Sequence, residues 1–185
     1  FFFFLSSRSF LLFLLSASLC LLQLSQGAPC RFAACGGAYN GRMIVVFGQT
    51  ASSLATEYVF VNITTGSTVQ VPLPAGVTPR SSAACATSGN YLFLYGGISA
   101  TQALLTDIWR YDMANDTWVY QPMSTTTAPL PRSNALLVAF SPNKLMLLAG
   151  LVNTPSGQAG AEPCWAADLQ TYVCFLSFFL SFFIN

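Results

Sequence analysis

The sequence predicts an all-β fold of about three four-stranded antiparallel blades, the units of a β-propeller, forming an incomplete ring. Three observations predict it. The stretches RMIVVFGQ (42–49), NYLFLYGG (90–97) and NKLMLLAG (143–150) are one element met three times. Gly48 to Gly97 is 49 residues and Gly97 to Gly150 is 53, and a period near 50 is a repeat length of propeller blades. Within each period, short β-branched and aromatic runs alternate with Gly, Asn, Ser and Pro turns, without a helical apolar stripe.

The elements follow in order. In the first unit AACGG (33–37) reads as one strand, MIVVFG (43–48) as the next and TEYVFVN (56–62) as the third. STVQVPL (67–73) is the outer strand, ending at a Pro that cannot donate to a ladder. The connections YNGR (39–42) and TSGN (87–90) are tight hairpin turns, where Gly or Asn accepts positive φ at little cost. Arg31, Arg80 and Arg132, spaced by 49 and 52, each precede a small-residue run: FAACGG, SSAACA and SNALLVAF. A polar loop follows each glycine, then EYVFVNITTGSTV (57–69), DIWRYDMANDTWV (107–119) or the degraded CWAADLQTYV (164–173).

On these residues the chain resembles a kelch-repeat protein over about 31–172. The kelch pattern sets an Arg before a small-residue strand, then an apolar strand closed by paired glycines. A Trp or Tyr strand, a turn and a second Trp complete it. The middle unit carries Arg80, Gly96, Gly97, Asp107, Trp109, Tyr111, Asp112 and Trp118. The first keeps Arg31, Gly48, Glu57 and Tyr58, with Asn62 in the place of Asp112, Gln49 for the second Gly and Thr68 for the second Trp. The third keeps Arg132, Gly150, Trp165 and Asp168, with Ala149 for the first Gly. The expected units are 31–79, 80–131 and 132–172. The resemblance implies blades of a propeller, which closes at about four to eight of them. The chain is therefore read as part of a larger propeller.

These residues read chiefly as structural. The glycines end strands where blades crowd a central channel, and Trp109 and Trp118 are wedges between blades. A planar guanidinium either ties adjacent blades through Asp112 or Asp168, or presents a basic ring to an acidic partner. Loops 49–57, 98–107, 121–131 and 151–164 differ most between units and are the expected binding surface.

Composition narrows function. The sequence has no His, which excludes Ser-His-Asp and Cys-His catalysis and His-ligated metals. Seven basic residues against six acids leave no basic face for nucleic acid. No catalytic residue, cofactor or metal set is expected. Galactose-oxidase-like copper enzymes share kelch-like propellers, but their ligands include His.

The ends are apolar. Residues 1–27 read as a secretory signal, with a membrane anchor as the rival; the chain touches a membrane only in the second case. Residues 173–185 form a Phe-rich hydrophobic tail too short to span, whose Phe, Leu and Ser share pyrimidine-rich codons and so suggest a gene-model artefact. An exported chain would oxidise its cysteines, and the mature part holds Cys30, Cys35, Cys85, Cys164 and Cys174, an odd number. Cys35 and Cys85 are read at matching strand positions of successive units. Asn62 (NIT) and Asn115 (NDT) are glycosylation sequons near the same turn of their units, or else simply turn residues.

The functional expectation is a secreted or cell-surface module that binds another protein and has no chemistry of its own. Its alternatives are a galactose-oxidase-like or carbohydrate-binding propeller, and a cytoplasmic scaffold if the N-terminal segment is spurious.

Overall fold

The computed structural model describes residues 30–123, 128–154, 157–160, 165–168 and 173–176. The N-terminal signal or anchor, the tail beyond 176, and Cys164 lie outside these residues. Sixteen strands and no helix occur among the described residues.

Three antiparallel sheets, each of four strands, carry the fold. The first runs β1 (Cys35–Tyr39), β2 (Arg42–Val46), β3 (Glu57–Asn62), β4 (Thr68–Pro72) in spatial and chain order. Between it and the second sheet lies β5 (Arg80–Ser81). The second sheet holds β6 (Ala84–Ser88), β7 (Tyr91–Tyr95), β9 (Ile108–Asp112) and β10 (Thr117–Gln121), and β8 (Ile98–Ser99) pairs with β5. The third sheet holds β11 (Leu136–Ser141), β12 (Lys144–Leu148), β15 (Trp165–Asp168) and β16 (Val173–Leu176). The hairpin β13 (Leu151–Thr154) and β14 (Gly157–Gly160) stands in its β12–β15 connection.

The outer strand of the third sheet, Val173–Leu176, pairs in register with Trp165–Asp168. Its Val, Cys, Phe and Leu carry no charge and no Pro, which suits a strand.

Tight turns follow from residue choice. Tyr39 pairs with Arg42, so Asn40 and Gly41 alone turn the chain, with φ of 46° and 72°. Two positive φ values form the turn whose twist suits a hairpin.

Alternation along each strand builds the core. Successive side chains face opposite sides, so each sheet offers one apolar row to each neighbour. Ile44, Val46 and Tyr58 of the first sheet pack on Leu92, Leu94 and Tyr111 of the second. Phe93, Tyr95 and Ile108, on the opposite face of the second sheet, pack on Leu137, Leu145 and Leu147 of the third. Trp109 and Trp118 join the first cluster and Trp165 the second. Trp118 lies 4.9 Å from Tyr111 and 5.7 Å from Tyr58 between ring centroids, in tilted and edge geometries that aromatic pairs favour. The far face of the third sheet leaves Leu136 and Phe140 exposed.

The same alternation explains a disulfide. Cys35 and Cys85 are bridged, with Cα atoms 5.9 Å apart. Their reading as matching positions is corrected. Cys35 pairs with Val46, whereas the residue paired with Tyr95, the last of β7, is Ala84. Cys85 is thus one residue further along its strand and on the opposite face. Matching positions on stacked sheets would point the same way and never meet. The one-residue offset turns Cys85 back toward Cys35.

Candidate functional site at the arginine end of the sheets

At one end of every sheet, the small-residue strand begins, the apolar strand closes and the third strand starts. The three repeat arginines gather here with the variable loops. Arg80 is fully buried. Its Nε donates to Thr78 O at 2.9 Å and its Nη1 to Gly96 O at 3.1 Å. Nη1 and Nη2 grip both oxygens of Asp107 at 2.5 and 2.6 Å, a bidentate fork. The Trp109 indole donates to the same carboxylate at 2.6 Å. Burial alone would raise the Asp107 pKa. The Arg80 hydrogen bonds and charge, with the Trp109 indole, outweigh it and hold the carboxyl below its ordinary value.

Arg31 repeats the arrangement. Its Nη1 donates to Glu57 O at 2.7 Å and its Nη2 bonds Glu57 Oε1. Burial pushes this guanidinium below its ordinary value, and the Glu57 charge opposes that shift. The arginine partners are therefore Glu57 and Asp107, at the start of the third strand of the same unit. Asp112 does not serve, which corrects the expected tie between adjacent units. Asp112 sits at the far end of its strand. Its Oδ1 accepts from Asn90 Nδ2 at 2.7 Å and from the Ala114 N–H at 2.9 Å. The side chain of Asp168 lies outside the described set.

The link between units runs through the arginine backbone. Gly48 N donates to Arg80 O at 2.9 Å, and Gly97 N to Arg132 O at 2.9 Å. A second pair recurs beside it: Ser82 N to Ala33 O and Asn134 N to Ser82 O, both at 3.0 Å. Gly48, Gly97 and Gly150 have φ of 91°, 99° and 103°; Phe47, Gly96 and Ala149 have 61°, 63° and 52°. This corrects the alignment of the first unit. Gly48 stands for the second glycine of the pair and Phe47 for the first, so Gln49 replaces neither. A buried Phe in a left-handed backbone carried no sequence signal. Its ring lies 5.0 Å beneath the Arg80 guanidinium, a cation–π contact that the glycine in the next unit cannot make.

Arg132 departs from its two counterparts. Nε donates to Leu130 O at 3.1 Å and Nη1 to Ala149 O at 3.0 Å, as in Arg80. Its Nη2 and the neighbouring Ser133 hydroxyl are buried, with no hydrogen-bond partner among the described residues. Burial pushes its pKa down and the Tyr95 hydroxyl opposes the shift. That hydroxyl donates toward Leu130 O at 3.0 Å and lies 3.2 Å from Pro129 O. A cleft of about 250 Å³ opens at this end, lined by Ala103, Leu104, Leu130, Pro131, Val152 and Asn153.

The loops at this end are unlike one another. In 49–57, Thr50 Oγ1 donates to Ser53 O and accepts from its N–H, closing a small polar turn. In 98–107, Gln102 N donates to Ser99 O at 3.0 Å. In 151–164 the β13–β14 hairpin projects. Of 121–131, residues 124–127 lie outside the description.

The opposite end holds the hairpin turns and both sequons. Asn62 is exposed, and its Oδ1 accepts the N–H groups of Thr64 and Thr65 at 2.9 and 3.0 Å. Its structural counterpart is Asp112, which caps its own turn in the same way. Asn115 lies three residues on, and its Nδ2 donates to Asp112 Oδ2 at 2.8 Å. An ion pair joins the first two sheets here: Arg42 Nη2 contacts Asp116 Oδ1 at 3.1 Å, and the Tyr111 hydroxyl donates to Asp116 at 2.7 Å. Burial, then the Asp116 carboxylate, raises the Tyr111 pKa. Cys30 lies at the edge of the described residues and the Cys174 side chain outside them. Among the described residues no group of three or more His, Cys, Asp or Glu could hold a metal, and no helix is long and apolar enough to cross a membrane.

Comparison with known proteins converges on this geometry. A family model described as the Kelch motif matches residues 79–122, a span that opens one residue before Arg80 and closes one after β10. The chain is 28% identical to the flagellar outer arm dynein alpha chain of Chlamydomonas reinhardtii over 136 residues, 66% of this chain and 3% of that one. It is 27% identical to Adagio protein 3 of Arabidopsis thaliana over 135 residues, 71% of this chain and 22% of that one. It spans only a minor part of each relative. A Kelch motif thus matches the middle unit, and the four-stranded sheet order of that unit recurs on either side of it.

Proposed function

We propose that the chain is a non-catalytic protein-interaction module built of kelch blades of a β-propeller. One observation carries the reading: three loops of unlike length and chemistry stand at the same end of three like sheets. A repeated scaffold with private loops is how one fold presents a specific surface. Face-to-face stacking of successive sheets and the exposed Leu136 and Phe140 favour blades that continue round a propeller.

We place the module in the secretory pathway, at the cell surface or outside the cell. The apolar segment 1–27 and the Cys35–Cys85 bridge support this, since such bridges persist in oxidising compartments. Asn62, whose Nδ2 is not engaged, is the better glycan acceptor; the Asn115 amide is held by Asp112. A glycan at the turn end leaves the loop end open for a partner.

The test uses the full chain expressed in a secreting eukaryotic cell. A partner recovered by the wild type, lost when loop 98–107 is shortened, and rebuilt from purified components supports the reading. A partner that binds both forms equally, or binds at the turn end, overturns it.

A further inference from the structure

We infer that Asn40, at the tip of the first hairpin, is a site of spontaneous deamidation, converted in the folded chain to aspartate and isoaspartate. The inference is independent of what binds the loop end.

Asn40 is followed by Gly41, the one Asn-Gly pair in the sequence. The reaction is intramolecular. The Gly41 backbone nitrogen attacks Asn40 Cγ, the new N–Cγ bond closes a succinimide ring, and the Cγ–Nδ2 bond breaks. Ammonia leaves, carrying off the Gly41 amide proton. Water then opens the ring. Cleavage of the bond from the ring nitrogen to Cγ gives aspartate on an unchanged backbone. Cleavage of its bond to the Asn40 carbonyl carbon gives isoaspartate, whose main chain runs through Cβ and Cγ. The net change is an amide exchanged for an acid, with water as the co-reactant. A side chain on the following residue crowds the attacking nitrogen, and glycine has none.

The surroundings of Asn40 favour it over the other asparagines. Asn40 and Gly41 are both exposed. A Cβ placed on Gly41 would meet nothing within 4 Å, so nothing shields the attacking nitrogen. Both residues hold positive φ, 46° and 72°, in a turn with no residue to spare between Tyr39 and Arg42. The left-handed region costs an Asn more than a Gly, and opening the tip relieves that cost. Attack requires the Gly41 nitrogen to swing beside Asn40 Cγ. A hairpin tip reaches that geometry by local opening, which costs far less than unfolding the sheet. Other asparagines are held or hindered. Asn62 Oδ1 accepts two backbone N–H groups, and the Asn90 and Asn115 amides donate to Asp112. Asn134, Asn143 and Asn153 precede Ala135, Lys144 and Thr154, whose side chains impede the attack.

The product bears on the fold. Isoaspartate lengthens the turn by a backbone carbon and sets a carboxylate close to Arg42. Arg42 lies over the Phe60 ring at 4.1 Å and pairs with Asp116 at 3.1 Å, so the new charge competes for the pair that joins the first two sheets. Gly41 O also accepts the Ile63 N–H at 2.9 Å, so a displaced tip disturbs the next turn as well.

The test is ageing of the full chain at mildly alkaline pH, followed by peptide mapping with fragmentation that separates the two linkages. A parallel sample aged in urea gives the rate of the open chain. Asn40→Gly keeps a residue suited to positive φ and has no amide to lose there. The native wild type should deamidate at Asn40 about ten-fold faster than at any other Asn, giving both products. Its thermal midpoint should fall by about 2–4 °C on ageing, while that of Asn40→Gly holds. Deamidation of Asn40 in urea but not in the native chain would mean that the turn blocks the attack, and would overturn the inference. A native rate at Asn40 no greater than at Asn134 or Asn153 would do the same. Isoaspartate formed without a change in midpoint would refute its effect on the turn.

Discussion

Removal of the Cys35–Cys85 bridge is the perturbation whose size can be worked most directly. The two residues are 50 apart in sequence and on facing sheets. Closing a loop of that length in the unfolded chain removes about 14 cal/mol/K of entropy, or about 4 kcal/mol at 25 °C. For a chain of this size that is a midpoint change of roughly 8–16 °C. The assay is equilibrium urea unfolding of the full chain, oxidised wild type against Cys35→Ala/Cys85→Ala, with intact-mass thiol counting under native and denaturing conditions. The double variant should unfold about 3–5 kcal/mol more easily. A difference under about 1 kcal/mol would refute the entropic reasoning. Alkylation of both thiols in the unreduced native protein would refute the one-residue offset that brings the two side chains together.

Other perturbations separate the two ends of the sheets. Asp107→Ala strands the fully buried Arg80 and should cost about 3–5 kcal/mol. Asp116→Ala removes a pair whose side chains are 41% and 46% exposed, about 1 kcal/mol at most, and with it the acceptor of the buried Tyr111 hydroxyl, about 1–3 kcal/mol more, both variants read by urea midpoint. The Asp107 carboxyl titrates below its unfolded value of about 3.9. Its contribution is therefore present above that pH and lost as pH falls through the lower folded value. Asp107→Asn should flatten the acid limb of stability below about pH 4, and an unchanged limb would contradict the shift. Gly97→Ala forces φ of 99° on a Cβ that would sit 2.7 Å from Ser81 O, so thermal unfolding should show a larger loss than Gly41→Ala, whose Cβ meets nothing within 4 Å.

What could be read in advance followed from period and alternation. Three apolar strands ending in glycine fixed the repeat, and strand limits near 43–48 and 56–62 lie within a residue or two of β2 and β3. What could not be read depended on contacts between units. The sequence reading left the arginines between a tie through Asp112 or Asp168 and a basic ring for a partner, and missed Asp107 across the sheet at the same end; strand polarity, applied to the antiparallel pair of β7 and β9, would have found it. The cysteine offset was also present in the numbers. The arginines repeat at 49 and the cysteines at 50, and an odd difference reverses the face in a strand. Phe47 at positive φ had no such trace, because its conformation is imposed by the bond from Gly48 to the next unit.

One residue per unit therefore does two jobs. The Arg80 side chain holds the third strand of its own sheet through Asp107, while its carbonyl receives Gly48 of the sheet before. Arg132 receives Gly97 in the same way. Substituting the side chain should loosen a sheet from within yet leave the link to its neighbour, whereas a bulkier residue at the glycine should do the opposite. This division lets the loops vary. The strands before and after each loop are fixed by the arginine and the glycine, so the exposed residues between them are freer to vary than the buried Ala55 and Ser99.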